Sequence, residues 1–159
     1  MEREVWRLLR EVPDPEIPVL NVVELGIIRY VRAQSEHAVA VGVSPTYTGC
    51  PATEVIQSAI KTKLRAAGYC NSRVETVLAP PWTSDWITAG AREKLREYGI
   101  APPAQAVAHP RHLFREPTVP CPRCASSQTE RVSEFASTPC KAFYRCTACL
   151  EPFEYFKCI

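Results

Sequence analysis

The pattern on which the fold depends lies in residues 37–68, HAVAVGVSPTYTGCPATEVIQSAIKTKLRAAG. Residues 37–44 alternate well enough to predict a β-strand. A helix is predicted from Pro51 to Ala67, because proline suits a first helical turn and Gly68 follows as a stop. The predicted helix also places its apolar residues on one face: Val55, Ile56, Ala59, Ile60 and Leu64. The strand, loop and helix together place Cys50 at a helix N-terminus.

The flanking residues extend this unit in both directions. A first helix is predicted because Val5, Leu8, Leu9 and Val12 share one face. Residues 21–34 are rich in β-branched side chains and predict a strand that pairs with residues 37–44. Residues 72–80 predict a third strand, and residues 83–99 predict a last helix that ends at Gly99. The resulting order, α-β-β-α-β-α, predicts an α+β fold with a small three-stranded sheet and helices packed on one face.

The cysteines divide the chain into two regions. Two of the eight cysteines lie in the first hundred residues and six in the last forty. Residues 100–120 between these regions contain five prolines and no clear periodicity, which predicts an extended linker. We therefore expect an α+β domain over residues 1–100, a proline-rich linker over residues 101–120 and a small β domain over residues 121–159.

The second domain carries a metal-binding pattern. CPRC (121–124) and CTAC (146–149) are two Cys-x-x-Cys turns separated by 21 residues. Four thiolates in such turns form a closed tetrahedral site that is typical of structural zinc. We therefore expect one structural zinc, held by Cys121, Cys124, Cys146 and Cys149, in a zinc ribbon. Iron in the same geometry stays open, as do the roles of Cys140 and Cys158.

Cys50 allows two interpretations. The free N–H groups at a helix start favour an anion such as a thiolate, which predicts a reactive or metal-binding cysteine. Many free cysteines are instead small buried residues without a chemical role. Thr46 and Thr48 lie just before Cys50 in the sequence, so their hydroxyls could donate hydrogen bonds near its sulfur. The loop that carries Asp14 and Glu16 is also able to approach Cys50. His37, the one histidine of this domain, lies at a strand start, so a thiol enzyme would lack an obvious base.

Composition excludes several classes of protein. Hydrophobic residues make up 46% and charged residues 23%, as in ordinary globular proteins. No stretch of 18 apolar residues predicts a transmembrane helix, and residues 1–12 lack the apolar core of a signal peptide, so a cytoplasmic protein without membrane contact is expected. Residues 101–159 carry seven Lys or Arg and five Asp or Glu without a basic stripe, which argues against nucleic-acid binding.

Several stretches resemble one known family. Three stretches occur together and in this order: VPDPEIPVLNVVELGIIRYV (12–31), TYTGCPATEVIQSAI (46–60) and APPWTSDWITAGAREKLREYGIAPP (79–103). This combination resembles the metal–sulfur cluster assembly family that includes the SufT-like proteins, and EPFEYFKCI (151–159) narrows it to members that accompany bacterial phenylacetate degradation. The resemblance implies that Cys50 is the functional cysteine, with Asp14, Glu16, Thr46 and Thr48 around it. We expect any iron or iron–sulfur cluster at Cys50 to be labile, because one cysteine cannot hold a cluster by itself.

The residues and the resemblance together predict a non-catalytic maturation factor. Its client would be a component of a phenylacetyl-CoA epoxidase, either the oxygenase or the reductase subunit, and the ribbon would recognise it. One alternative is a structural or docking subunit of that oxygenase that handles no metal, and another is a nucleic-acid-binding ribbon protein. A homodimer is compatible with the sequence, and Cys70 has no assigned role.

Overall fold

The computed structural model describes residues 1–47, 49–104 and 118–159, which form two compact units, Met1–Thr88 and Ala89–Ile159. The first unit contains helix α1 (Glu2–Leu9), strands β1 (Ile28–Ser35) and β2 (Ala38–Val43), helix α2 (Ala52–Ala66) and strand β3 (Arg73–Thr76). The second unit contains helix α3 (Ala89–Glu97) and strands β4 (Ile100–Ala101), β5 (Thr129–Ser133), β6 (Lys141–Cys146) and β7 (Pro152–Phe156). This order confirms the predicted α+β fold, α-β-β-α-β-α, followed by a small β domain.

The sheet of the first unit is built around β2. Strand β1 pairs with β2 in the antiparallel direction, whereas β3 pairs with β2 in the parallel direction, so that Val41 lies opposite Val74. All six residues of β2 are buried, including Val39, Val41 and Val43. A strand that is buried on both faces needs apolar side chains at successive positions, which the sequence of β2 provides.

The helices of the first unit bury one stripe each. Helix α2 buries residues at four-residue intervals, namely Ala52, Ile56, Ile60 and Leu64. Helix α1 buries Val5 and Leu9 and packs against α2 and β1, while α2 also packs against β3. Each fully buried aliphatic side chain contributes roughly 1.5–3 kcal/mol to stability. No helix in the described ranges combines the length and the apolarity that crossing a bilayer requires.

The first strand begins later than the sequence predicts. Strand β1 begins at Ile28 rather than at Asn21, because Asn21 and Glu24 form a turn. The Asn21 side chain accepts hydrogen bonds from the N–H groups of Val23 and Glu24 at 3.0 and 2.9 Å, and the Glu24 carboxylate accepts one from the Asn21 N–H at 3.1 Å. These side-chain bonds compete with strand pairing and outweigh the β-branched composition.

The last predicted helix is divided in two. A single 3-10 turn covers Ser84–Trp86, and α3 begins only at Ala89. Ile87 between them is extended, with φ −65° and ψ 125°, and the Thr88 N–H donates to the Glu24 carbonyl at 3.0 Å. Residues 87–88 therefore interrupt the helix, and the Thr88 N–H bonds to the turn of Glu24 instead of to a helical carbonyl.

The second unit is a four-stranded sheet with the order β4-β7-β6-β5. Strand β4 is parallel to β7, and the other pairs are antiparallel. The ring of Tyr144 packs at 5.9 Å from that of Phe153 and at 5.6 Å from that of Tyr155. The core around these rings also contains Ala101, Val119, Cys121, Ala142 and Cys146. A core of this size buries little apolar surface compared with that of a larger domain.

The predicted boundaries lie close to these units but do not coincide with them. Helix α3 belongs to the unit of the ribbon, although the sequence places it in the first domain, and β4 in the same unit spans the predicted boundary between that domain and the linker. Residues 105–117 of the predicted linker lie outside the described residues. The division into 1–100, 101–120 and 121–159 therefore stays a prediction.

Two glycines with positive φ allow a matched test of the first unit. A Cβ on Gly26, which has φ +69°, would lie 2.5 Å from the Trp86 carbonyl oxygen, whereas a Cβ on Gly68, with φ +92°, would meet no atom within 4 Å. We expect Gly68→Ala to lower the free energy of unfolding by roughly 1 kcal/mol through backbone strain. Gly26→Ala should cost about 2 kcal/mol more, because the backbone of Trp86 must also move.

Urea unfolding followed by tryptophan fluorescence measures both variants, because all three tryptophans, Trp6, Trp82 and Trp86, lie in the first unit. Equal unfolding free energies for the two variants would contradict a close approach of Gly26 to Trp86.

Candidate functional site

The four cysteines of the two Cys-x-x-Cys turns meet in the second unit. The sulfurs of Cys121, Cys124, Cys146 and Cys149 all lie within 4.8 Å of one another. The Cys121 and Cys149 sulfurs are 3.7 Å apart, and those of Cys124 and Cys146 are 3.6 Å apart. A tetrahedral zinc with bonds of about 2.3 Å needs sulfurs about 3.8 Å apart, so this geometry fits the ion.

Backbone turns bring these sulfurs together. In the first turn, the Ala125 N–H donates to the Cys121 carbonyl at 2.9 Å, and Ala125 has φ 60°. In the second, the Cys146 N–H donates to the Glu151 carbonyl at 2.9 Å, and Leu150 has φ 65°. Both chain reversals therefore use a left-handed residue directly after the second cysteine.

The hydrogen bonding of Cys146 favours a metal-binding thiolate. The N–H of Cys149 lies 3.4 Å from the Cys146 sulfur, and this bond is the largest cause that lowers the pKa of Cys146 to about 7, although burial opposes it. The hydrogen bond from the Glu151 backbone lowers the pKa of Cys149, but burial and the neighbouring cysteine sulfurs together outweigh it and raise this pKa to about 12. One thiolate therefore forms first. Thiolates are the form of cysteine that binds metal ions. Four sulfur ligands leave no open coordination position, so the chemistry of this site is structural.

Cys50 lies in a different environment, in the first unit. It is half-buried and stands just before the start of α2, with Gly49 at φ 81° on one side and Pro51 on the other. The Cys50 N–H donates to the Tyr47 carbonyl at 3.2 Å, and its carbonyl accepts from the Thr53 N–H at 3.1 Å. Among the described residues, no side chain caps the start of α2 by a hydrogen bond. The thiol is thus placed beside the N-terminal end of a helix, as predicted from Pro51.

Cys50 opens into a cleft of about 520 Å³. The cleft is lined by Pro45, Gly49, Cys50, Pro51, Thr53, Glu54, Gln57, Thr76 and Leu78. The Gln57 side-chain amide donates to the Thr76 hydroxyl at 2.8 Å and so links α2 to the end of β3. Leu78 is 65% exposed at the rim. The cleft therefore offers an accessible thiol between polar side chains and a small apolar rim.

The position of the cleft follows from the parallel pairing of β2 with β3. The carboxyl ends of the two parallel strands, Val43 and Thr76, lie side by side, and α2 begins at the same edge of the sheet. Ligands of α/β units bind in crevices at this edge. Sequence reasoning missed Gln57 and Thr76, although a parallel strand pair connected through α2 would have placed them here.

Three of the four predicted neighbours of Cys50 belong to the described residues, and none of these three lines the cleft. Asp14 is buried, and its Oδ1 accepts the N–H groups of Glu16 at 2.9 Å and Ile17 at 2.7 Å. Neither Asp14, Glu16 nor Thr46 is among the described residues that line the cleft. Thr48 lies outside the described residues. The ligand role predicted for Asp14, Glu16, Thr46 and Thr48 stays a prediction, while Asp14 has a visible structural role in closing its loop.

The three remaining cysteines lie outside the four-cysteine cluster. Cys70 is exposed in the first unit. In the second unit the sulfur of the buried Cys140 lies 3.1 Å from the Thr138 hydroxyl, and that of Cys158 lies 3.2 Å from the Tyr155 hydroxyl. Within the described parts of the chain, the cluster of four is the one group of three or more Cys, His, Asp or Glu side chains close enough to hold a metal.

The structural role of Asp14 leads to a stability test. Asp14→Ala leaves two backbone N–H groups without their acceptor, so we expect the first unit to lose about 1–3 kcal/mol of unfolding free energy. Asp14→Asn keeps an acceptor oxygen and should lose less than half as much. Urea unfolding followed by tryptophan fluorescence compares both variants with the wild type; an unfolding midpoint of Asp14→Ala equal to that of the wild type would show that the carboxylate does not hold the loop.

Comparison with known proteins gives two adjacent family matches. Residues 2–76 match the model of the iron–sulfur cluster assembly proteins, and residues 106–157 match the model of the PaaD zinc beta ribbon domain. A domain of unknown function from Bacillus anthracis has a similar structure, with a TM-score of 0.55 and 27% identity over 59% of this chain and 90% of that one.

Two relatives extend these matches. An Escherichia coli protein, named as a putative subunit of 1,2-phenylacetyl-CoA epoxidase, is 53% identical over 156 residues, which cover 98% of this chain and 92% of that protein. The Fe-S protein maturation auxiliary factor SufT of Staphylococcus aureus is 32% identical over 51% of this chain and 92% of its own length. The chain therefore belongs to the PaaD proteins, the members of the SufT-like iron–sulfur cluster assembly family that carry a C-terminal zinc ribbon.

Proposed function

We propose that this protein is a maturation factor that holds iron or an iron–sulfur unit at Cys50 and passes it to a protein client. The observation that carries the proposal is a half-buried thiol in an open cleft, at the edge of the sheet where α2 begins. The family match over residues 2–76 supports the same chemistry.

The surroundings of Cys50 favour a donor over a permanent metal site. When iron binds, the Cys50 thiol gives its proton to solvent, and the free N–H groups of the helix start face the resulting thiolate ligand. Among the described residues, Cys50 belongs to no group of three or more close metal-binding side chains. The client, or a second copy of this chain, would therefore supply further ligands. A cargo with one ligand from its carrier exchanges readily, as transfer requires.

The four-cysteine cluster serves another purpose in this proposal. We propose that it binds one zinc, because its sulfur separations of 3.6 and 3.7 Å fit that ion. The ion would supply folding free energy to the ribbon and no reactive position. Cys50 and the cluster belong to different units, so cargo handling and metal-dependent folding fall to separate parts of the chain.

The names of two relatives support the choice of client. The relative with 53% identity is named as a putative part of phenylacetyl-CoA epoxidase, and the relative from Staphylococcus aureus is named as a maturation auxiliary factor. We therefore propose that the client is the oxygenase or reductase component of such an epoxidase and that the protein is not itself an enzyme.

A docking subunit without metal handling is the second candidate. The word subunit in the name of the Escherichia coli relative favours it. The two candidates differ at Cys50, since a protein that only docks has no use for a thiol in an open cleft.

The zinc site has a direct test. We expect one zinc per chain and expect Cys146→Ser to lose it, because three thiolates remain where four closed the site. The ribbon should then unfold while tryptophan fluorescence of the first unit stays unchanged. Metal analysis and proteolysis measure this, with Cys158→Ser, an exposed ribbon cysteine outside the cluster, as control. A ribbon that resists protease without metal would refute the proposed role of zinc.

The role of Cys50 is tested by the metal content of the client. We expect Cys50→Ser to fold, keep its zinc and leave the epoxidase components poor in iron and sulfide after coexpression, since a hydroxyl does not replace a thiolate as an iron ligand. Cys70→Ser, which removes an exposed thiol from the same unit, should leave client loading unchanged. Full loading by Cys50→Ser would favour the docking role instead.

A further inference from the structure

The ribbon carries an exposed aromatic residue on a loop held by hydrogen bonds. Residues 134–140 connect β5 to β6 and are here called, together with the flanking strand residues Ser133 and Lys141, the Phe135 loop. The side chain of Phe135 is 62% exposed, and that of Val132, at an irregularity of β5 just before the loop, is 57% exposed. Single exposed apolar residues are common on protein surfaces, so exposure alone is no evidence for a site. The hydrogen bonding around Phe135 is what separates it from such residues.

Hydrogen bonds from side chains fix the backbone at Phe135 and at the preceding residue. The Ser133 hydroxyl donates to the Phe135 carbonyl at 2.7 Å and accepts from the Phe135 N–H at 3.2 Å. The Lys157 ammonium donates to the Glu134 carbonyl at 3.0 Å and lies 4.5 Å above the Phe135 ring. These contacts fix the loop backbone at Phe135 and place a cation on one face of its ring.

A buried ion pair supports the other end of the loop. Lys141 is only 3% exposed, and its ammonium donates to Glu154 Oε2 at 2.7 Å. Glu154 Oε1 accepts the Ser137 N–H at 2.9 Å, and the Ala136 N–H donates to the Lys141 carbonyl at 2.9 Å. Burial of an ion pair contributes little net stability compared with an apolar pair of the same size. The pair is better explained by the conformation that it imposes on the loop.

A rigid loop with an exposed aromatic tip has an advantage in binding. A ring that stays in water contributes little free energy to folding. A partner that buries the ring therefore gains most of the free energy available from removing its apolar surface from water. Ordering a loop upon association weakens binding, and this loop is already ordered. Aromatic side chains surrounded by polar groups are frequent among the residues that dominate interface energies.

The charges next to Phe135 indicate the chemistry of the partner. Arg131 lies 2.6 Å and Lys157 3.7 Å from the Glu134 carboxylate, so two cations stand against one anion. Because Lys157 covers one face of the ring, that face is not available for stacking on a nucleic-acid base. We propose that the Phe135 loop is the docking surface for the protein client and that it inserts Phe135 into an apolar pocket with an acidic rim.

This inference rests on the proposed function only for the identity of the client. Its test is the binding of the purified oxygenase and reductase components of the epoxidase to immobilised full-length protein. We expect Phe135→Ser to weaken binding of one component by roughly 30-fold, which is the effect of losing a dominant interface residue. Tyr98→Ser removes another exposed aromatic side chain, 59% exposed, from the same unit and should bind like the wild type. Wild-type association should also slow as ionic strength rises.

Two controls separate docking from folding and from cargo transfer. Phe135→Ser should keep its zinc and its circular dichroism, because the ring is mostly outside the core. Cys50→Ser should bind the component normally and fail only to load it. Normal binding by Phe135→Ser together with failed loading by Cys50→Ser would overturn the docking surface and leave the proposed function intact. Lost binding by Phe135→Ser together with full loading by Cys50→Ser would support the docking surface and contradict the proposed role of Cys50.

Three further outcomes would overturn the docking surface. One is that the wild type binds neither component, which would also remove the proposed client. Another is Phe135-dependent, salt-sensitive binding to a single-stranded oligonucleotide. The third is a homodimer in sedimentation experiments that Phe135→Ser dissociates, since the ring would then contact a second copy.

Discussion

The parallel pairing of β2 with β3 is the constraint on which the first unit depends. A parallel pair cannot be closed by a tight turn, so the chain must cross over, and here α2 makes the crossing. The crossing sets the start of α2 at the carboxyl ends of both strands. Cys50, Gln57 and Thr76 therefore meet in one cleft although 25 residues lie between the first and the last in the sequence. The cleft is a consequence of chain direction, and its chemistry follows from the residues that this direction brings together.

The cysteines show how position decides the chemistry of one side chain. Four of them face each other at separations that one tetrahedral ion satisfies, and they leave no position open. Cys50 has the opposite surroundings, with polar groups, an apolar rim and no comparable set of ligands among the described residues. This contrast between a closed cluster and an open thiol is the basis for assigning them separate roles in the proposed function.

Local patterns made the ribbon cluster and the position of Cys50 predictable. Cys-x-x-Cys turns and a Cys-Pro pair before an apolar helix depend on a few neighbouring residues, and the structure reproduces both arrangements. Features that depend on distant pairing or on individual side-chain bonds were not predictable. Composition predicted a strand at Asn21, where side-chain hydrogen bonds to the backbone form a turn. The acidic loop likewise did not reveal the structural role of Asp14, whose Oδ1 holds its own backbone; its predicted ligand role stays a prediction.

The two-residue strand β4 determines where the chain can be cut to give a stable fragment of the ribbon. Ile100 and Ala101 pair with Glu154 and Tyr155 and thereby cover one side of β7. The ribbon match begins only at residue 106. A fragment with those limits would expose the backbone of β7 as a new sheet edge next to buried aromatic rings, and such edges invite pairing between molecules and aggregation. Insolubility of that fragment would therefore reflect a missing neighbouring strand, even with every metal ligand present, and a cut before Ala89 would keep the sheet edge covered.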